Sequence, residues 1–218
     1  MAKKNDTILR TKFPERLCHW FLVICFFFTA MSGLSWFYPS LSWLSNLLGS
    51  PQLARILHPF LGIIVFLALC FMLVRFAKYN LFAKTDLIWF RNVKDVILNR
   101  HGQKLQIGKY NAGQKVLFWL IMASILVLLV SGLIMWRAYF AHLFPIWVLR
   151  LAILAHSVSG IGLILLILGH IYLALWVRGS ITGMVTGYVS RAWVRQHHDR
   201  WYDELAAREA AAKTDPKP

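Results

Sequence analysis

Four of the eight histidines in this sequence, His19, His58, His156 and His170, fall inside long uncharged stretches. A neutral imidazole presents one lone-pair nitrogen that can bind a metal and one N–H that can donate a hydrogen bond. His156 and His170 stand fourteen residues apart in a single uncharged run, 151–177. On an α-helix each residue turns ~100°, so fourteen steps fall ~40° short of four turns and both rings leave the same face. At ~1.5 Å rise per residue they lie ~21 Å apart along the axis. One helix therefore offers two imidazoles on one stripe, spaced for two stacked metal centres.

The elements that must hold these rings are membrane helices. Of 218 residues, 58% are hydrophobic and 15% charged, in continuous apolar runs that a soluble domain does not carry. Four runs reach the ~20 residues needed to cross a bilayer: 17–38, 56–74, 116–136 and 151–177. Basic residues bracket each of them. Five Lys and Arg precede the first run, one (Arg55) lies in the first connection, nine lie from Arg75 to Lys115, two in the third connection and seven from Arg178 onward. Twenty-one of these charges fall on one side and three on the other, a positive-inside bias that places both termini in the cytoplasm. The formal charge of +15 is thus a topology signal, with contact to anionic lipid, and excludes the nucleic-acid reading that the charge alone suggests. The basic start and first apolar run read as a retained helix, since the run is longer than a signal-peptide core.

The expected fold is an all-α integral membrane protein of the bacterial inner membrane, one four-helix domain over residues 1–207. Trp43, Leu44, Leu47 and Leu48 in the first outer connection have the spacing of a short interfacial helix. In the long inner connection, Thr85 or Asp86 caps an interfacial helix expected over 86–99. The polar segment 208–218 reads as a disordered tail. Cys18, Cys25 and Cys70 are odd in number and lie in or beside apolar runs, so no disulfide framework is implied; without a CxxCH motif, nothing suggests covalent haem attachment.

Charge topology sorts the four histidines by depth. His19 lies near the inner end of span one and His170 in the inner half of span four; His58 lies near the outer end of span two and His156 in the outer half of span four. By depth the pairs are His19 with His170 and His58 with His156. Ionisable groups within a membrane are costly, and histidine is a common axial ligand of haem. Two imidazoles from neighbouring helices can clamp a planar b-type haem, so two such haems are expected, stacked across the bundle. Gly62 and Gly160, each four residues after an outer histidine, leave flat room for a porphyrin. The plainer alternatives are interhelical hydrogen bonding for a single histidine and helix packing for the glycines. His101, His142, His197 and His198 fall in loops or tail and read as solvated or interfacial. The absence of Asp and Glu from the spans weakens a proton pump or transporter reading.

Several segments carry a resemblance. RTKFPERLCHW, GSPQLARILHPFLG, GKYNAGQKVLFW, SGLIMWRAYFA and the stretch from His170 to Tyr202 are similar, in order and spacing, to the gamma subunit of respiratory membrane-bound formate dehydrogenase, a dihaem cytochrome b. The likeness runs from about residue 7 to 205; GYVSRAW differs slightly from the family's form, and the tail beyond Tyr202 has no match. The resemblance implies an outer haem on His58 and His156, fed by an iron–sulfur beta subunit on the periplasmic side. That subunit would in turn be fed by a molybdenum or tungsten alpha subunit that oxidises formate. It implies an inner haem on His19 and His170 that reduces quinone, menaquinone or ubiquinone, at a pocket formed by Asn111, Gly113, Gln114 and His170. Anaerobic respiration, and a higher oligomer of the complex, would be the setting. Without the resemblance, GKYNAGQ reads as a polar loop and helix start with Asn111 as its cap. The cytochrome b subunit of a nickel–iron hydrogenase is the near alternative, a haem-free membrane anchor or transporter the distant one.

Overall fold

The computed structural model describes residues 6–97 and 105–214. Its order is β1 (Thr7–Leu9), α1 (Phe13–Phe37), a 3-10 helix (Pro39–Leu48), α2 (Pro51–Phe76), α3 (Asp86–Arg91), α4 (Val93–Ile97), α5 (Ala112–Ile134), α6 (Ile146–Trp176), α7 (Thr182–Val185), β2 (Tyr188–Ser190), α8 (Arg191–His197) and α9 (Asp199–Thr214). Among the described residues, α1, α2, α5 and α6 are long and apolar enough to cross a membrane. All four begin at least four residues before the apolar run that marks them. Helical hydrogen bonding continues through Glu15 and Arg16, through Arg55, and through Arg150, because a charge ends hydrophobicity without ending a helix. Pro51 opens α2 at the position where its missing N–H costs nothing.

The chain divides into two compact units: Pro14–Arg75 with Trp119–Leu173, and Met1–Phe13 with Phe76–Phe118 and Ala174–Pro218. In the first, all four long helices contribute to one core. Cys25, Val65, Leu69, Ile125 and Leu163 are buried there, with Phe26, Leu61 and Ile167 against them. Large apolar side chains such as Leu17, Val74, Leu154 and Leu165 face outward, the surface that lipid solvates. Near the start of α1, Glu15 is buried and accepts from Nε and Nη2 of Arg75 at 3.1 and 2.7 Å, tying the beginning of α1 to the end of α2.

The second unit holds a feature outside an all-α expectation. β1 and β2 pair antiparallel, Thr7 with Ser190, Ile8 with Val189 and Leu9 with Tyr188. Ile8, Val189, Val194 and Trp201 form its buried core. Ser190 caps α8, accepting from the Trp193 amide at 3.2 Å.

Three expectations change. The helix expected over 86–99 is two short helices separated at Asn92, with 98 and 99 outside the described residues. Neither Thr85 nor Asp86 caps α3 by its side chain in the expected way. The Asp86 carboxylate is drawn back to the Ala83 amide and across to Lys115, each at 2.7 Å. The tail expected to lack structure from 208 continues as α9 to Thr214, with 215–218 outside the described residues. Alanine, glutamate, arginine and lysine are strong helix formers, and Arg191 pairs with Glu209 across the α8–α9 corner. In the outer connection Trp43, Leu44 and Leu47 do lie on a helix, of the tighter 3-10 kind, ended by Gly49 at φ +96°.

Candidate metal centre

The geometry is clearest at the outer pair. The ring centroids of His58, on α2, and His156, on α6, lie 6.3 Å apart, with planes inclined at 54°. A metal–imidazole nitrogen bond of ~2.0 Å plus ~1.1 Å from nitrogen to ring centre, counted on both sides, puts two trans ligands ~6.2 Å apart. The observed spacing therefore has room for one metal atom between two ring nitrogens. Among the described residues, no cluster of three or more His, Cys, Asp or Glu is assembled.

The other nitrogen of each ring is engaged. Nδ1 of His58 lies 2.8 Å from Oγ of Ser32 on α1, and Nδ1 of His156 lies 3.0 Å from Oγ of Ser131 on α5. The sequence analysis did not single out either serine. The signal was there: the tripeptide Ser-Gly-Leu occurs at 32–34 and again at 131–133, each on the span preceding the one that bears the outer histidine. The glycine of each tripeptide lies against the ring, and at Gly132 the fit is tight. A Cβ on Gly33 would lie 3.6 Å from Cε1 of His58, and one on Gly132 only 3.2 Å from Cε1 of His156. Trp36, one helical turn beyond Ser32, stands edge-on to His58 at 4.9 Å.

His156 and His170 lie on one unbroken helix, so their fourteen-residue step holds the ~21 Å axial offset. His19 is on α1 within electrostatic reach of His170. Its Nδ1 is buried and has no hydrogen-bond acceptor among the described residues. A Cβ at Gly62 would meet nothing within 4 Å, and one at Gly160 would touch only Leu128, at 3.8 Å. The residues thus fit a haem: paired rings at ligand spacing, Nδ1 atoms occupied at the outer pair, and glycine surface beside them.

Asn111, Gly113 and Gln114 belong to the other compact unit, which is described by itself. Asn111 and Gln114 form a reciprocal cap on α5: the Gln114 amide donates to Oδ1 of Asn111 at 2.8 Å, and the Asn111 amide donates to Oε1 of Gln114 at 3.0 Å. The cap uses the oxygens, so Nδ2 and Nε2 take no part in it. Gly113 is a close approach, since a Cβ there would fall 2.8 Å from Cη2 of Trp89. The loop before this cap is strapped by the C-terminal segment. Asp199 accepts from the amides of Gln106 and Ile107, and Ile107 O accepts from the Trp201 amide.

His198, expected to be solvated, is buried within this strap. It donates from Nδ1 to Gly108 O at 2.7 Å, and its Nε2 stands 3.3 Å from Nη1 of Arg10. Burial, then the charge of Arg10, pushes its pKa well below the ordinary histidine value, while the Gly108 carbonyl pulls the other way. The ring is therefore neutral and accepts from Arg10. Arg10 is buried too, which lowers its own pKa, and its guanidinium lies over Trp193 at 4.7 Å and toward Tyr110 at 5.7 Å.

The chain is similar to known proteins along nearly its whole length. The family described as prokaryotic cytochrome b561 matches residues 10–187. The chain is 51% identical over 212 residues, covering 97% of it and 98% of the relative, to the cytochrome b556(Fdn) subunit of nitrate-inducible formate dehydrogenase from Escherichia coli. It is 45% identical to the cytochrome b556(fdo) subunit of the formate dehydrogenase of the same organism, covering 93% and 95% of the two chains. It is 47% identical to a formate dehydrogenase cytochrome b556 subunit of Haemophilus influenzae, covering 92% and 84%. With four apolar helices, histidine pairs on facing spans and likeness along nearly its whole length, this chain belongs to the prokaryotic cytochrome b561 family, among the cytochrome b556 subunits of formate dehydrogenases.

Proposed function

We propose that this chain conducts electrons across the bacterial inner membrane, from an iron–sulfur subunit on the periplasmic side to quinone on the cytoplasmic side. His58 and His156 hold an outer b-type haem, His19 and His170 an inner one, and both termini are cytoplasmic. Formate is oxidised elsewhere, in a molybdenum or tungsten subunit of the complex. The observation that carries the reading is the 6.3 Å spacing of the His58 and His156 rings, each with its Nδ1 already engaged.

Each haem, when bound, supplies a one-electron ferric–ferrous couple. The polypeptide's work is positional. The four imidazoles would hold the irons, α6 sets the axial separation of the two sites, and the apolar core around Leu163 would exclude water between them. Gly62 and Gly160 give the flat surface against which porphyrin packs. Asn111 and Gln114, locked as a cap, hold Nδ2 and Nε2 as donors for quinone carbonyls, with Gly113 between them in the chain. Quinone reduction there takes up protons from the cytoplasm, so negative charge moves inward without a proton channel through the chain.

The test uses membranes containing the intact complex. Formate added without oxygen reduces two b-type haems per chain, and a quinone analogue then reoxidises them. His58→Ala removes one haem and leaves the other. A complex without b-type absorbance, or a His58→Ala variant that loses only the inner haem, contradicts the assignment.

A further inference from the structure

We infer that Ser32 and Ser131 are positioning residues that lock the tautomer and heading of His58 and His156 and thereby lower the potential of the outer haem. This rests on the haem reading above. Oγ of Ser32 lies 2.9 Å from Phe28 O and 3.0 Å from Thr29 O, besides its 2.8 Å contact with Nδ1 of His58. Oγ of Ser131 lies 2.6 Å from Val127 O and 3.3 Å from Leu128 O, besides its 3.0 Å contact with Nδ1 of His156. A carbonyl only accepts, and a hydroxyl has a single hydrogen. The hydroxyl hydrogen therefore goes back to the helix's own carbonyls, the usual arrangement for a serine inside a helix. Turned toward the ring instead, it would leave the oxygen lone pairs facing carbonyl oxygens in a buried site, where Ser32 is 1% and Ser131 4% exposed. The contact with the ring must then be Nδ1–H donating to Oγ. That fixes the proton on Nδ1 and the lone pair on Nε2, the nitrogen left for iron.

The two sites are built alike although they use different helices. In both, the serine that holds the ring is followed by a glycine that lies against it, and serine and histidine are separated by 26 residues in one case and 25 in the other. A ring that donates from its far nitrogen is a more basic ligand. It favours ferric over ferrous iron and so lowers the potential. His19, of the inner pair, has no such acceptor among the described residues. The serines thus make the outer site the weaker electron holder, which favours electron flow inward.

Ser32→Ala, Ser131→Ala and the double variant, each in the intact complex, test this by potentiometric titration of the b bands and by the low-spin ferric resonance signals. Each alanine raises the ferrous-to-ferric ratio of the outer haem about fivefold to tenfold at fixed ambient potential; tenfold corresponds to ~59 mV for one electron. The inner haem keeps its potential, and Ser32→Thr and Ser131→Thr restore the outer one. Loss of the outer haem in the alanine variants alone, with threonine retaining it, also supports the role of the hydroxyl. Unmoved potential and resonance signals in the alanine variants, equal shifts in both haems, or threonine behaving as alanine would overturn it. Absence of b-type absorbance from the unaltered complex would instead sink the haem reading on which it stands.

Discussion

Replacing Lys115 by methionine removes one charge from a pair that is almost completely buried. Lys115 is 3% exposed and Asp86 9%, and Nζ lies 2.7 Å from Oδ2. At that separation, and an effective dielectric constant of ~20, the gross attraction is about 6 kcal/mol. Much of it offsets the cost of taking both ions out of water. The variant loses the attraction and keeps the cost, because the Asp86 carboxylate stays buried with the Ala83 amide, at 2.7 Å, as a remaining donor. The expected destabilisation is about 3–5 kcal/mol. Adding Asp86→Asn removes the orphaned charge while the amide oxygen still accepts from Ala83, so the double variant recovers most of the loss. The assay is hydrogen exchange of the backbone amides of α3 and the first turn of α5, in detergent, for both single variants and the double. α3 should exchange much faster in Lys115→Met and return toward normal in the double variant. Additive single effects, with a coupling below about 0.5 kcal/mol, would show that the pair is not the tie between these helices. Because the same turn of α5 carries the Asn111–Gln114 cap, reoxidation by a quinone analogue should slow in step with exchange.

Two more predictions follow from particular distances and one protonation. Gly132→Ala places a methyl 3.2 Å from a ring that Ser131 already holds, at an overpacking cost of about 1–3 kcal/mol. Gly33→Ala, at 3.6 Å, makes an ordinary contact and should be nearly silent. Haem content per chain and the thermal loss of the Soret band compare the two, and equal behaviour would contradict the ring-room argument. His198 has a folded pKa far below its unfolded value, so it contributes stability that is complete above the ordinary histidine range and lost as pH falls below it. Acidification from pH 6.5 should weaken the strap over Gly108 by up to about 1.4 kcal/mol per unit. Exchange of the Lys109 and Tyr110 amides, corrected for intrinsic pH dependence, reads this, and His198→Gln should flatten the response.

The long helices were legible because they follow from apolar runs, which a linear sequence displays directly. Helix starts were not, because Arg55 and Arg150 interrupt hydrophobicity while their backbone amides continue the ladder. Ser32 and Ser131 escaped notice for a different reason. A serine in a span satisfies itself on its own helix, so nothing local reveals that its oxygen also serves a ring 26 or 25 residues away. The plainer reading of GKYNAGQ as loop and helix cap describes the geometry of Asn111 and Gln114 well. Only the resemblance assigns them to quinone. α9 was misjudged because polarity was weighed above helix propensity, and because its anchor, Trp201 against Ile8 and Val189, comes from residues far apart in the chain.

The β1–β2 pairing has a consequence for how the protein is made. Ile8 leaves the ribosome 181 residues before Val189, the residue opposite it. At ~5–20 residues per second, this strand waits roughly 9–36 s with its backbone groups on water. All four long helices are synthesised before its mate exists. The clasp therefore closes late, joining the segment before α1 to the segment after α6 only once everything between them has been made.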